Sequence, residues 1–390
     1  LNSLAHRDKS VAMSDLRVLG GGAEAFGAIL RNIANARNRI EIHAFLWCDD
    51  NTGNKLATAL LEAAERDVTV VIHKDRVAAV YELSGGNNQS FFHKEAKRGE
   101  KFAAWVLERT YLGKDKERKA RKRQRPNALV DQLVAHRNVT VAHDDKRFDH
   151  SKMFIFDEEI LVLGSMGIGD DHHDEWIDMM IELTGAHHVE RLAQRMAGEV
   201  EFDSTRRVDF LLHNQRAHEK KTCPMLSERL NLIESAETSV VIEMAYLGDP
   251  RFTKALIGAV NRGVAVTLVT GRDVNVLRSL GRATLAKILK STGAPEHLCI
   301  ILHPRMVHAK MVVVDGRYSD VGSANFTKLS HGVYDEVNVY IDDEELAQAL
   351  TEHAFSHRED GEVVQGPLSY KKWVSQVERA TVAYQSRNGA

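Results

Sequence analysis

Asp149-His-Ser-Lys-Met-Phe-Ile-Phe156, with Asp157 and then Gly164-Ser165 behind it, returns later in the chain as Val307-His-Ala-Lys-Met-Val-Val-Val314, with Asp315 and Gly322-Ser323. The shared frame, His-x-Lys-x4-Asp-x6-Gly-Ser, repeats with identical spacing. Each run is short, apolar and rich in β-branched or aromatic residues, which predicts a buried strand. Residues two apart on a strand share a face, so His150 should point with Lys152 and His308 with Lys310, each pair able to meet one phosphate. Asp157 and Asp315 follow at turns and read as structural, ion-paired residues. A second short strand, Ile160 to Leu163 or Tyr318 to Val321, then delivers Gly164-Ser165 or Gly322-Ser323, where a small residue lets backbone and hydroxyl approach a ligand closely.

A third element keeps the same register. Asp178 stands 28 residues after His150 (178 − 150), and Glu336 stands 28 after His308 (336 − 308). A carboxylate on the second imidazole nitrogen fixes its tautomer and stabilises the protonated ring, so each is the expected orienting partner of its own copy's histidine. One His-x-Lys on a strand is as readily a solvated polar pair. Two copies sharing seven positions argue for chemistry, with a duplicated fold that has lost its activity as the alternative.

These residues resemble the phospholipase D superfamily, whose signature is His-x-Lys-x4-Asp-x6-Gly-Ser-x-Asn. The second copy matches through Asn325, whereas the first departs at Gly167 and lacks one side-chain hydrogen bond to the phosphate. Three further segments look like bacterial cardiolipin synthases and related phosphatidyltransferases. They are Ile40 to Phe45 with Asp49-Asp50-x-x-Gly53, Ile168-Gly169-Asp170, and Gly322-Ser-Ala-Asn-Phe326 with Glu336-x-Asn338. The resemblance covers most of the chain. It implies an α/β phospholipase D fold of two pseudo-twofold-related α/β/α sandwich repeats, each with a mixed, largely parallel sheet, that place both histidines in one cleft.

The same resemblance implies a double displacement on a phospholipid, without metal or cofactor. His150 would be the nucleophile and His308 the general acid and then base. Lys152 and Lys310 would supply fixed positive charge, Asp178 and Glu336 would hold the protonated ring, and Ser165, Ser323 and Asn325 would donate to the phosphate oxygens. A pair that starts with one neutral and one protonated imidazole should titrate as a unit and give a bell-shaped pH–rate profile.

At 390 residues and 43% hydrophobic, the chain has material for one large core or two domain-sized ones. No run approaches the length of a membrane span. The first residue is Leu1, so a removed N-terminal leader stays open. Cys48, Cys223 and Cys299 form no pairing framework, which favours a reducing compartment and a cytoplasmic enzyme visiting the bilayer surface. Net charge is −3, so attraction to polyanions needs a local patch. Lys114 to Arg125 is one, preceded by Phe91, Phe92, Phe102, Trp105, Tyr111 and Leu112. It reads as a solvated helix face or as an anionic-membrane contact with aromatics dipping into the interface, and less readily as a nucleic-acid groove.

The duplication extends beyond the motifs. Phe26 to Arg37 predicts an amphipathic helix before a strand at Ile40 to Trp47, and Leu226 to Ala236 leads likewise to Val240 to Leu247. Asn54 to Arg66 and then Val68 to His73 are matched by Arg251 to Arg262 and Val264 to Thr270. Such alternation predicts a largely parallel sheet with helices on its faces. The expected repeats are 1–207, with an insertion of about 40 residues near 83–128, and 208–390, with Val208 to Cys223 as the polar link. Tyr370 to Val377 has weak helical periodicity. The cluster Asp170-Asp-His-His-Asp174 does not have metal-ligand spacing. His173 and His331, each 23 residues after a motif histidine (173 − 150, 331 − 308), are candidate headgroup contacts at the cleft mouth.

Overall fold

The computed structural model describes residues 15–75, 78–84, 90–92, 127–142, 148–292 and 295–388. Lys114 to Arg125, with the aromatic residues Phe102, Trp105 and Tyr111, lies outside the described residues. The first half runs β1 (Leu16–Gly20), α1 (Gly22–Asn35), β2 (Arg39–Ala44), α2 (Asn51–Glu65), β3 (Thr69–Lys74), α3 (Ala79–Ser84), α4 (Ala128–Ala135), β4 (Val139–Ala142), β5 (Phe148–Asp149), β6 (Met153–Phe156) and β7 (Ile160–Gly164). A π-helical turn (Asp171–Glu175), β8 (Met179–Thr184) and α5 (Ala186–Ala197) complete it. The second half runs β9 (Val208–His213), α6 (Gln215–Glu219), α7 (Pro224–Glu234), β10 (Ser239–Met244), α8 (Pro250–Asn261), β11 (Ala265–Gly271), α9 (Arg278–Ser291), β12 (Leu298–His303), β13 (Lys310–Val314) and β14 (Tyr318–Gly322). It ends with β15 (Tyr334–Asp342), α10 (Glu344–Asp360), β16 (Glu362–Val363) and α11 (Lys372–Asn388).

The two halves build the same sheet twice. Among the described residues the first has order β1-β8-β7-β6-β2-β3-β4, and the second repeats it as β9-β15-β14-β13-β10-β11-β12 before adding β16. Both sheets are mixed. Their parallel pairs are β2-β3-β4 and β10-β11-β12, where the chain must cross over through a helix, and the two-residue β5, which joins β15 of the other half. β6 and β7, and β13 and β14, are joined by short turns, and the pairs β6-β7-β8 and β13-β14-β15 are antiparallel. Helix–strand alternation upstream therefore overstates the parallel share.

Alternation along each strand sorts side chains into layers. Ile40 and Ile42 of β2 enter an outer core with α1, α2 and α4, and Ile242 and Met244 of β10 do the same with α7, α8 and α9. The inner faces meet each other: Met153, Leu163 and Ile181 of the first sheet share a core with Met311, Val313 and Val339 of the second. Helices α2 and α8 begin where an acidic side chain accepts an otherwise orphaned amide. Asp50 takes the Gly53 N–H at α2, and Asp249 takes the Arg251 N–H at α8.

Three expectations change here. Val208 to Cys223 is no plain link, because its first part is β9, buried throughout and paired along its length with β15. Phe91 stacks on Trp47 in the outer core, 2% exposed, and so cannot dip into a membrane interface. The weak periodicity after Tyr370 belongs to a longer helix, α11, reaching Asn388.

Candidate active site

The motif runs are not single strands. Asp149 pairs with Asp335 of the other half, the chain crosses between sheets at His150 to Lys152, and β6 then joins its own sheet. The second copy does the same, with Val307 bridging Ile177 before β13 begins at Lys310. The crossing is fixed by matching bonds: His150 N–H donates to Asp335 O at 2.9 Å and His308 N–H to Ile177 O at 2.7 Å. Each histidine is thereby tied to the residue preceding the other copy's carboxylate.

The side chains follow the backbone. His150 Nδ1 lies 3.0 Å from Glu336 Oε2, and His308 Nδ1 lies 2.8 Å from Asp178 Oδ1. The expected partnership within each copy is thus replaced by one across copies. Sequence offset placed the carboxylates correctly but could not tell which half they face. Ionised carboxylates only accept, so both imidazoles donate from Nδ1 and turn Nε2 elsewhere.

His150 Nε2 has no partner among the described residues. His308 Nε2 contacts Lys310 Nζ at 3.0 Å. Both lysines also donate to the carbonyl of their own motif histidine.

Ser165 and Ser323 sit beneath the carboxylates. Ser165 Oγ donates to Asp178 Oδ1 at 2.6 Å and accepts the Met179 N–H, while Ser323 Oγ donates to Glu336 Oε2 at 2.5 Å and accepts the Val337 N–H. Both are 0% exposed, so they hold the carboxylates instead of meeting phosphate oxygens as expected. Gly164 and Gly322 are small for a related reason. A Cβ at either would fall 2.2 Å from Met179 O or 2.3 Å from Val337 O on the adjoining strand, not against a ligand. Asp157 accepts the backbone N–H groups of Arg37, Asn38 and Arg39, and Asp315 those of Glu237, Thr238 and Ser239. The expected ion pairs are instead clamps on the start of β2 and β10.

His150, Lys152, His308 and Asn325 line one cleft of about 410 Å³, framed by Phe45, Tyr81, Trp176, Tyr246 and Tyr334. Phe45 meets the His150 ring edge-on and Tyr334 stacks beside it. Asn325 Oδ1 accepts the Tyr246 N–H. His173 and His331 are absent from the lining. His173 pairs with Asp174, and the buried His331 donates to Thr327 O from Nδ1 while its Nε2 faces Arg229. Neither serves as a headgroup contact at this cleft.

The cleft instead contains His172. Its Nδ1 lies 2.7 Å from Asp178 Oδ2, giving that carboxylate a second imidazole, and its Nε2 is buried without a partner. The offset relating His150 to His308 also relates Gly167 to Asn325 and His172 to Ser330 (325 − 167, 330 − 172, both 158). A Cβ on residue 167 would fall 2.7 Å from His172 Nε2, so the imidazole fills the space opened by the missing Asn side chain. Aligning the copies through these positions would have revealed the exchange of bulk; the motif alone does not.

Burial dominates the electrostatics. It pushes His150 below the ordinary histidine value, against the pull of Glu336, and Lys152 down to about 8. Lys310 is driven well below its usual range by burial, and His308 by burial and the neighbouring ammonium. Burial raises the carboxylates, but His308 and His172 overcome it at Asp178, and His150 and Lys152 bring Glu336 to about 2. Both carboxylates are thereby held as anions against the pull of burial.

Two α/β repeats sharing one cleft in this way have the phospholipase D fold. The solved phosphatidylserine synthase of Haemophilus influenzae Rd KW20 superposes with TM-score 0.65 at 15% identity, covering 95% of this chain and 94% of that one. Residues 29–200 and 230–357 match the family described as "Cardiolipin synthase, PLD-like domain", and the chain belongs to that family. It is 24% identical over 362 residues to cardiolipin synthase B of Shigella flexneri, spanning 87% of this chain and 79% of the relative. Cardiolipin synthase A of Proteus mirabilis is also 24% identical, over 356 residues.

Proposed function

We propose that the cleft transfers a phosphatidyl group from a phospholipid to an alcohol, a reading in keeping with the cardiolipin synthases that the chain resembles. Water reaching the same intermediate would give hydrolysis. The observation carrying this reading is the pair of imidazoles in one cleft, each with Nδ1 on the opposite copy's carboxylate and each flanked by a lysine.

His150 is the nucleophile in this reading, supported by its unpartnered Nε2 and by the burial that keeps it neutral. Nε2 attacks phosphorus as the bond to the leaving oxygen breaks. That oxygen takes a proton from His308 Nε2, where contact with Lys310 Nζ leaves one proton shared by two groups that burial makes poor at holding it. His308 then removes the proton of an acceptor alcohol, whose oxygen displaces the imidazole from phosphorus. Lys152 and Asn325 face the non-bridging oxygens, where fixed donors contribute most as charge builds. Ser165 and Ser323 position the carboxylates.

The aromatic frame suits a glycerophospholipid better than a nucleic-acid strand, which would need a cationic groove along its length. Among the described residues no helix is long and apolar enough to cross a membrane. The basic run Lys114 to Arg125 supports attraction to anionic headgroups at the bilayer surface.

The test is to incubate the protein with phosphatidylglycerol vesicles and, separately, with single-stranded DNA, both with chelator present. Cardiolipin is the expected product. Phosphatidic acid alone would restrict the enzyme to hydrolysis, and shortened DNA without lipid turnover would replace the lipid reading.

A further inference from the structure

Outside the cleft, the described residues bring histidines and a carboxylate together at three places. At two of them a guanidinium accounts for the acid: Arg39 reaches Glu41 beside His43 and His73, and Arg207 reaches Asp15 beside His188. The third, formed by Glu243, His353 and His357, has no such partner among the described residues.

Glu243 lies on β10, on the inward face opposite Ile242 and Met244, and is 0% exposed. Neither carboxylate oxygen receives a directed hydrogen bond, an arrangement that is costly for a buried anion. His353 and His357 sit one turn apart on α10, so both rings project toward the same strand. His357 Nε2 is 3.1 Å from Glu243 Oε1, His353 Nε2 is 3.8 Å from Oε2, and the two Nε2 atoms are 3.3 Å apart.

Ion pairing explains this poorly. Two imidazoles meeting Nε2 to Nε2 cannot both carry a proton there, so they cannot both donate to the carboxylate. Three donor atoms on one tetrahedral zinc ion, with bonds near 2 Å, are expected to lie about 3.3 Å from one another. The two Nε2 atoms match that edge length, and each faces a different oxygen of the one carboxylate, at 3.1 and 3.8 Å, so a small turn of the carboxylate would present one oxygen to both.

We propose that Glu243, His353 and His357 hold a divalent cation of the zinc class, with a fourth position open to water. His303, which packs edge-on against His357, turns Nδ1 to the Arg305 N–H and does not complete the set. The ion staples α10 to the second sheet. It also reaches the first repeat, because Gly20 of β1 passes so close that a Cβ there would lie 3.1 Å from His353 Nδ1. The role is structural and separate from the reaction cleft.

Metal analysis of the untagged full chain, loaded with Zn²⁺ and desalted, tests this. Wild type and His73→Ala should retain an equimolar amount, while His357→Ala and Glu243→Gln should bind at least about tenfold more weakly. Chelation should lower the melting temperature of wild type and leave His357→Ala unmoved. Should that variant not fold, wild type loaded with Co²⁺ gives the answer alone through the intense visible absorption of a four-coordinate site. Failure to retain zinc, retention unchanged in His357→Ala, loss in His73→Ala, or a weak six-coordinate Co²⁺ spectrum would each overturn the proposal.

Discussion

The imidazole of His150 and the carboxylate of Glu336, in opposite halves of the chain, meet at 3.0 Å between Nδ1 and Oε2. Asp178 and His308 form the reciprocal contact at 2.8 Å. Neither half holds a complete charge set, so chemistry depends on the crossing of the chain between sheets. Asp178→Asn and Glu336→Gln should each lower kcat by about 10²- to 10⁴-fold, through loss of tautomer control, with the fold retained. Steady-state kinetics and near-ultraviolet circular dichroism check this; an effect on KM alone would contradict it.

Glu336 also links the site to acid stability. Its carboxyl is held at about 2 against an ordinary 4.5, so the stability it contributes is complete above 4.5 and is lost as pH falls through about 2. Glu336→Gln should be less stable than wild type at neutral pH, and that difference should narrow across this window. Urea unfolding at a series of pH values measures it.

The pH profile of turnover should be a bell displaced by burial. His150 must be neutral to attack and lies below the ordinary histidine value, so activity should persist as pH falls through the usual histidine range. Lys152 must be charged and titrates at about 8, so the alkaline limb should fall there. Lys152→Arg, which stays protonated, should be slower but should lose that limb. An unchanged limb would assign it to another group.

Gly167 and His172 exchange bulk with Asn325 and Ser330. Gly167→Asn alone should impair stability and turnover, because its first side-chain atom collides with His172 Nε2. Adding His172→Ser should recover stability by recreating the second copy's pair. A double-mutant cycle by thermal unfolding reads the coupling, expected at about 1–3 kcal/mol; additive effects would count against the exchange.

Asp157 and Asp315 each accept three backbone amides at a strand start, partly open to solvent that can replace them. Asp315→Ala should cost about 1–3 kcal/mol while leaving kcat nearly unchanged. Loss of turnover in folded protein would return this residue to the chemistry.

The duplication and the helix–strand alternation were legible because they are written in period and spacing, which are local properties. So were the His–Lys pairs and the offset of Asp178 and Glu336. What escaped depends on which half faces which. The swap of carboxylates is invisible to an offset within one copy. The serines were misplaced because a hydroxyl beside a motif can serve a carboxylate as well as a phosphate, and burial decides. β9 was misread because His213 and the polar residues after it obscured an edge strand whose partner lies far along the chain. His172 was missed because its role follows from the void left by Gly167.

The central claim is that His150 attacks phosphorus while His308 moves the protons. Rapid quench of a phospholipid labelled at phosphorus with His308→Ala, followed by peptide mapping, tests it most directly. The account predicts label on His150 and none in His150→Ala. Label on His308 in His150→Ala, or no covalent intermediate in wild type under turnover, would contradict it.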